Sequence, residues 1–182
     1  RQMGLGDGVL TAGGRNPTGC LILDVRVPGL GGLQLQDELA LRHISLPIIF
    51  LTGYADVPMT VGAMRKGAVD FLIKPIDGGQ LLALVHSALE TDRRQREAAT
   101  AHSLLEARLL KLTPREREVL VLALSGLPNK TISKELNISV RTTEGHRAQI
   151  FLKLSVDSLI ELAQQAGSAG MPLADIATLQ PK

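Results

Sequence analysis

Residues 20–77, CLILDVRVPGLGGLQLQDELALRHISLPIIFLTGYADVPMTVGAMRKGAVDFLIKPID, hold three short apolar runs that each end on a polar side chain. Asp24 closes Leu21-Ile22-Leu23, Thr52 closes Ile48-Ile49-Phe50-Leu51, and Lys74 closes Phe71-Leu72-Ile73. Runs of this length, bounded by turn residues at Pro28-Gly29, Gly53 and Pro75, read as buried strands. Helical patterns over Gln34 to Arg42, Val57 to Gly67 and from Gly79 onward alternate with them. That order predicts an α/β unit with a parallel sheet and right-handed crossovers. The three polar side chains then emerge together at the carboxyl edge of the sheet, where open α/β folds bind ligands. A carboxylate, a hydroxyl and an ammonium on one rim suit a phosphorylation site.

The composition is that of an ordinary globular chain: 182 residues, 45% hydrophobic and 21% charged. It has no apolar run of membrane-spanning length and no basic-plus-apolar leader, which points to a cytoplasmic protein with no membrane partner. The single cysteine, Cys20, sits at the start of an apolar strand and reads as a buried thiol. A net charge of +2 says little until its location is known.

Residues 1–19 carry six glycines and no sustained periodicity, and look like an atypical, truncated or displaced N-terminus. Residues 20–88 form the α/β unit. Residues 89–111, charged, rich in helix formers and free of Gly and Pro, read as a helical linker. Leu104, Leu105, Leu109 and Leu110 there suggest a short pairing seam or a stripe that packs on its own domain.

Residues 112–167 change character, to four short helices with tight breaks, and 168–182 follow as a tail. Thr113, Pro114 and Glu116 make a capping box, and Gly126 ends the helix that they start. Asn129 is expected to cap the next helix, Lys130 to Leu136. A three-residue turn, Asn137-Ile138-Ser139, leads to Val140 to Leu154, and Ser155 with Asp157 is expected to start the last helix. Two helices joined by a three-residue turn are the pattern of a helix-turn-helix module.

The helix from Val140 divides by face. Thr143, His146, Ile150 and Leu154 form the packing stripe, while Arg141, Glu144, Gly145 and Ala148 lie opposite and would face a major groove. Lys130, Thr131, Thr142, Arg147 and Lys153 are placed for phosphates, which orient a protein on DNA without reading its sequence. Between residues 128 and 153 five Lys or Arg stand against two Glu, so the positive charge is concentrated here.

These residues reach a family. GCLILDVRVPGLGG followed by PIIFLTGYADVPMTVGAMRKGAVDFLIKPID resembles the second half of a response-regulator receiver domain, of the flavodoxin-like fold. LTPREREVLVLALSGLPNKTISKELNISVRTTEGHRAQIFLKL resembles the LuxR-type DNA-binding domain, and GYADVPMTVGAM and GLPNK look most like the FixJ subfamily. The resemblance implies Asp24 as phosphoacceptor and metal ligand, Thr52 and Lys74 as its support, Phe71 as the aromatic switch, and a cis Lys74-Pro75 bond. It implies Mg2+ as cofactor, and as partners double-stranded DNA, a sensor histidine kinase, a second copy on activation and RNA polymerase.

Two departures stand beside it. Receivers carry an acidic pair that binds Mg2+ with the phosphoacceptor, whereas the only acidic residue before Asp24 is Asp7, so the metal site reads as incomplete. Thr143 and Gly145 replace the branched or larger residues usual in the family. Three readings follow: a DNA-binding regulator switched by aspartyl phosphorylation, a phosphorylation-independent regulator whose shortened receiver is an interaction or dimerisation module, and an aspartyl-nucleophile enzyme. The last is disfavoured because Val25-Arg26 replaces the Asp-x-Asp of the dehalogenase-like phosphatases.

Overall fold

The fold, a computed structural model, is described for residues 17–26, 31–53 and 57–178. The expected turn at Pro28-Gly29, the lone acidic Asp7 and most of the N-terminal segment lie outside the described residues. The chain divides into two units, Arg1–Gln95 and Arg96–Lys182.

In the first unit β1 (Leu21–Asp24), β2 (Ile48–Thr52) and β3 (Asp70–Ile73) form a parallel sheet in the order β1-β2-β3. The register pairs Asp24 with Leu51 and Thr52 with Ile73. The central strand decides the layers. Ile48 and Phe50 on one face pack with Leu35, Leu39 and Ala63, from α1 (Gly32–Leu41) and α2 (Val57–Arg65). On the other face Ile49 packs with Leu72 and with Ala88 of α3 (Gly78–Leu109). An apolar strand buried on both faces needs helices on both, the arrangement that βαβ connections supply. Gly67, at φ 91°, turns the chain out of α2 toward β3. Burial, with the Asp92 carboxylate nearby, pushes the partly buried Cys20 thiol up. Asp92 also accepts a hydrogen bond from Gly19 N at 3.0 Å.

In the second unit the capping box is present: Thr113 Oγ1 accepts from Glu116 N and Thr113 N donates to Glu116, opening α4 (Pro114–Leu124). Gly126, at φ 80°, follows its end. The next helix, α5 (Asn129–Glu135), differs from expectation because Pro128 takes the cap position, placing Asn129 in the first turn with its side chain free to accept from Arg147. Asn137 (φ 52°) makes the turn, and Ser139 caps α6 (Val140–Leu154) by accepting from Thr142 N. Ser155 is not part of the last helix start. It is the left-handed residue that ends α6, and Ser158 caps α7 (Leu159–Ser168).

The stretch read as a linker is not one throughout. Leu105 and Leu109 belong to the core with Leu120, Ile132, Ile150 and Leu162, whereas Leu104 and Leu110 stay exposed, so the leucines pack on their own unit. The expected tail adds Met171 and Ile176 to that core, the latter from a short helix α8 (Leu173–Thr178).

One close approach in the first unit is intolerant of change. A Cβ at Gly32 would lie 2.7 Å from the Asp24 carbonyl oxygen and 3.1 Å from Phe50 Cε1. Gly32→Ala is therefore expected to destabilise the first unit by about 1–3 kcal/mol through overpacking, despite alanine's better helix propensity. A lower urea midpoint for that unit would show it.

Candidate functional site

Asp24 is the last residue of β1, Thr52 the last of β2, and Lys74 directly follows β3, so parallel strands bring all three to one rim. Lys74 Nζ reaches Asp24 Oδ2 at 2.5 Å although β1 and β3 are not neighbours. Its four-carbon stem spans the end of β2, where Thr52 is 2% exposed and its carbonyl accepts from Lys74 N at 2.8 Å. The other Asp24 oxygen accepts from Arg26 N at 2.9 Å. The Lys74 hydrogen bond first, and that of Arg26 second, hold the Asp24 carboxyl below its ordinary value. The carboxylate is thus ionised at neutral pH, partly exposed, and beside a cation.

The fourth residue assigned to this unit, Phe71, stacks on Phe50 with ring centroids 4.9 Å apart. It sits on β3 two residues before the strand's carboxyl end, on the α1 and α2 face. The Lys74-Pro75 bond is cis. For Mg2+ the donor set is poor. A hard divalent cation collects several oxygens, commonly one or two carboxylates plus water and phosphate. Among the described residues Asp24 is the one carboxylate at these strand ends, both its oxygens are engaged, and no group of three acidic, His or Cys residues that could hold a metal occurs. The described residues alone do not fit the metal.

In the second unit the structure separates the residues expected at DNA. Lys130, Arg141, Thr142, Glu144, Gly145 and Ala148 are exposed and Thr131 is half-buried, while Thr143, Ile150 and Leu154 are buried on the opposite stripe. Thr143 suits that stripe because its hydroxyl donates to Ser139 O at 3.2 Å. Arg147 and Lys153 are engaged internally. Arg147 donates to Asn129 Oδ1 at 3.1 Å with its guanidinium over the Phe151 ring. Lys153 Nζ lies 2.9 and 2.6 Å from the two Glu116 oxygens.

That last pair alters the charge argument. Glu116 is 5% exposed, and burial opposes its charge. Hydrogen bonds from Lys153 and Thr113 outweigh burial and hold the carboxyl below its ordinary 4.5. Lys153 therefore neutralises a buried carboxylate and is not a free phosphate anchor. Sequence reading took Glu116 only as half of a capping box. The available signal was its distance from Lys153 along the chain, which carries no geometry. Lys130, Lys134 and Arg141 keep exposed side chains with no carboxylate partner among the described residues, and Lys134 is an addition to the expected set.

Other proteins share this pattern. Residues 110–166 match the family described as bacterial regulatory proteins, luxR family, and residues 4–86 match the response regulator receiver domain. The receiver match takes in most of the N-terminal segment set apart in the sequence. Nodulation protein W of Bradyrhizobium diazoefficiens is 44% identical over 154 residues, covering 85% of this chain and 68% of that protein. Transcriptional regulatory protein FixJ of Azorhizobium caulinodans is 43% identical over 169 residues, covering 93% and 80%. The solved structure of response regulator StyR superposes with a TM-score of 0.76 at 38% identity, covering 91% of this chain and 83% of that one.

The engaged and exposed cations should separate by experiment. Lys153→Ala is expected to cost about 2–3 kcal/mol, by leaving Glu116 buried and unpaired, with the salt dependence of DNA binding unchanged. Lys130→Ala should leave stability alone and lower the salt slope by about one. Because the folded pKa of Glu116 lies below 4.5, the pair's stabilisation is complete above that pH and is lost as pH falls below it. Glu116→Gln should thus flatten the acid limb of a pH-stability curve. A Cβ at Gly145 meets nothing within 4 Å, so Gly145→Ala should stabilise the second unit by about 1 kcal/mol in thermal or urea unfolding.

Proposed function

The chain belongs to the two-component response regulators that join a receiver domain to a LuxR-type DNA-binding domain, and we propose that Asp24 is its phosphoacceptor and α6 its DNA-reading helix. One observation carries the first assignment: the Asp24 carboxylate and Lys74 Nζ meet across a strand that ends in Thr52. A carboxylate kept ionised by a neighbouring ammonium is a competent nucleophile toward phosphorus. Asp24 Oδ attacks the phosphoryl group of a phosphohistidine, the P–N bond breaks, and the imidazole leaves with the electron pair and takes a proton. An acyl phosphate remains on Asp24.

Lys74 exchanges its carboxylate contact for phosphoryl oxygens, and the Thr52 hydroxyl turns toward the same group. The phosphoryl group brings close to two negative charges to the rim. A shift of Thr52 then frees room beside β3 for Phe71 to change rotamer, altering the surface of α2 and β3. Val57, Val61 and Met64 of α2 and Ile73 of β3 are exposed, which supports that face as the one through which two copies pair on activation.

Receivers generally bind Mg2+ for phosphorylation. The described residues offer one carboxylate at these strand ends, and the groups beside it are the Lys74 ammonium and Thr52. The partners proposed are a sensor histidine kinase, double-stranded DNA and, at a promoter, RNA polymerase. Transcriptional regulators of this family are generally not enzymes. No helix among the described residues is long and apolar enough to cross a membrane, and the cytoplasm is the proposed location.

Phosphoramidate, a small analogue of phosphohistidine, tests the assignment by intact-mass measurement. Phosphoryl uptake is expected on the wild-type chain, to vanish in Asp24→Asn, and to slow on the order of 100-fold in Lys74→Met. Uptake that persists in Asp24→Asn would defeat the assignment.

A further inference from the structure

Helix α6 stops abruptly. Ser155 takes the left-handed conformation at φ 56°, and the Leu154 carbonyl at the helix end has no donor from the helix itself. Arg108, in the last turn of α3, supplies one: its Nη1 donates to Leu154 O at 3.1 Å, and lies 3.5 Å from Gln165 Oε1 of α7. One residue earlier Lys153 is tied to Glu116 in the first turn of α4. The C-terminal turn of α6 is thus held from two sides, at the opposite end from Arg141 and Glu144.

We propose that Arg108 is a positioning residue for DNA recognition, setting the orientation of α6 through the Leu154 carbonyl. This rests on the reading of α6 as the DNA-reading helix. Apolar burial of Ile150 and Leu154 decides that α6 packs, but such contacts are non-directional and leave the helix free to tilt. A hydrogen bond to a helix end fixes direction. Glu144 lies ten residues from Leu154, about 15 Å along the helix, so a swing of about 10° about that end moves it by about 2.5 Å. Hydrogen bonds to base edges do not survive a displacement of that size.

Two features argue against a simpler role. Arg108 is half-buried with its donors directed at Leu154 and Gln165, so it is not displayed for a phosphate. It also lines an open cleft of about 500 Å³ with Leu104, Glu161 and Gln164, so the guanidinium is held by its hydrogen bonds more than by close packing. Its removal opens no sealed cavity.

The test uses the full chain with two duplexes: one selected from a randomised pool by the wild-type protein, the other a base-shuffled copy. Arg108→Met keeps the aliphatic stem and loses the donors. It is expected to lower affinity for the selected duplex about tenfold and for the shuffled duplex less than twofold, with the salt slope and far-UV helix signal unchanged. Arg108→Lys keeps one donor for Leu154 and should lose about threefold on the selected duplex. A selected-to-shuffled ratio unchanged in both variants, or in Arg108→Lys alone if Arg108→Met does not fold, overturns the proposal. So does an equal loss on both duplexes with the salt slope lowered by about one, which would make Arg108 a phosphate contact. Arg141→Ala, measured alongside, separates the two readings. If it lowers the ratio while the Arg108 variants do not, the positioning role alone fails; if neither lowers it, the placement of α6 fails as well.

Discussion

The first unit depends on the burial of β2 on both faces. Ile48 and Phe50 point one way, Ile49 the other, and all three are nearly inaccessible to water. A strand apolar on both sides cannot sit at a solvated surface, so helices must cover it twice, and the chain does this with α1 and α2 on one face and α3 on the other. The parallel register follows, and with it the gathering of strand ends. Asp24, Thr52 and Lys74 meet because β1, β2 and the end of β3 all stop at the same edge. The chemistry of the rim is a by-product of how the core is layered.

The second unit is governed by a different constraint, the need to satisfy the ends of many short helices. Each end leaves carbonyl or amide groups without helical partners, and arginines meet much of this demand. Arg117 donates to the carbonyls of Leu109 and Leu112 at the end of α3, Arg115 to that of Leu136 at the end of α5, and Arg108 to that of Leu154 at the end of α6. Cations that an electrostatic argument would assign to DNA are therefore divided between two tasks. Side chains fixed to helix ends or to Glu116 shape the domain, while the exposed ones, Lys130, Lys134 and Arg141, have no carboxylate partner among the described residues and are the candidates for a DNA phosphate.

This division bears on how a regulator of this family discriminates among sequences. Phosphate contacts orient the protein, whereas base reading depends on a helix held at a fixed angle. On α6 the two ends do different work. The N-terminal half presents Arg141 and Glu144 to solvent, with Thr143 buried between them, while the C-terminal half is anchored by Ile150, Lys153 and Leu154. Gly145 weakens the helix between those halves without any steric reason for a glycine there among the described residues.

Strand positions, the α/β alternation, the capping box at Thr113 and Glu116, and the division of α6 into two faces were all legible in the chain, because each rests on local periodicity or on residues within one helical turn. The family was legible for the same reason, since its motifs are contiguous. What only the tertiary structure decided are pairings across long separations: Lys153 with Glu116, Arg147 with Asn129, Arg108 with the Leu154 carbonyl, and the absorption of Leu105 and Leu109 into the second unit's core. The fate of a charged or apolar side chain is set by which distant element comes within a few ångströms of it. Sequence periodicity shows which face a residue occupies, but the partner that neutralises or buries it appears only when the helices pack.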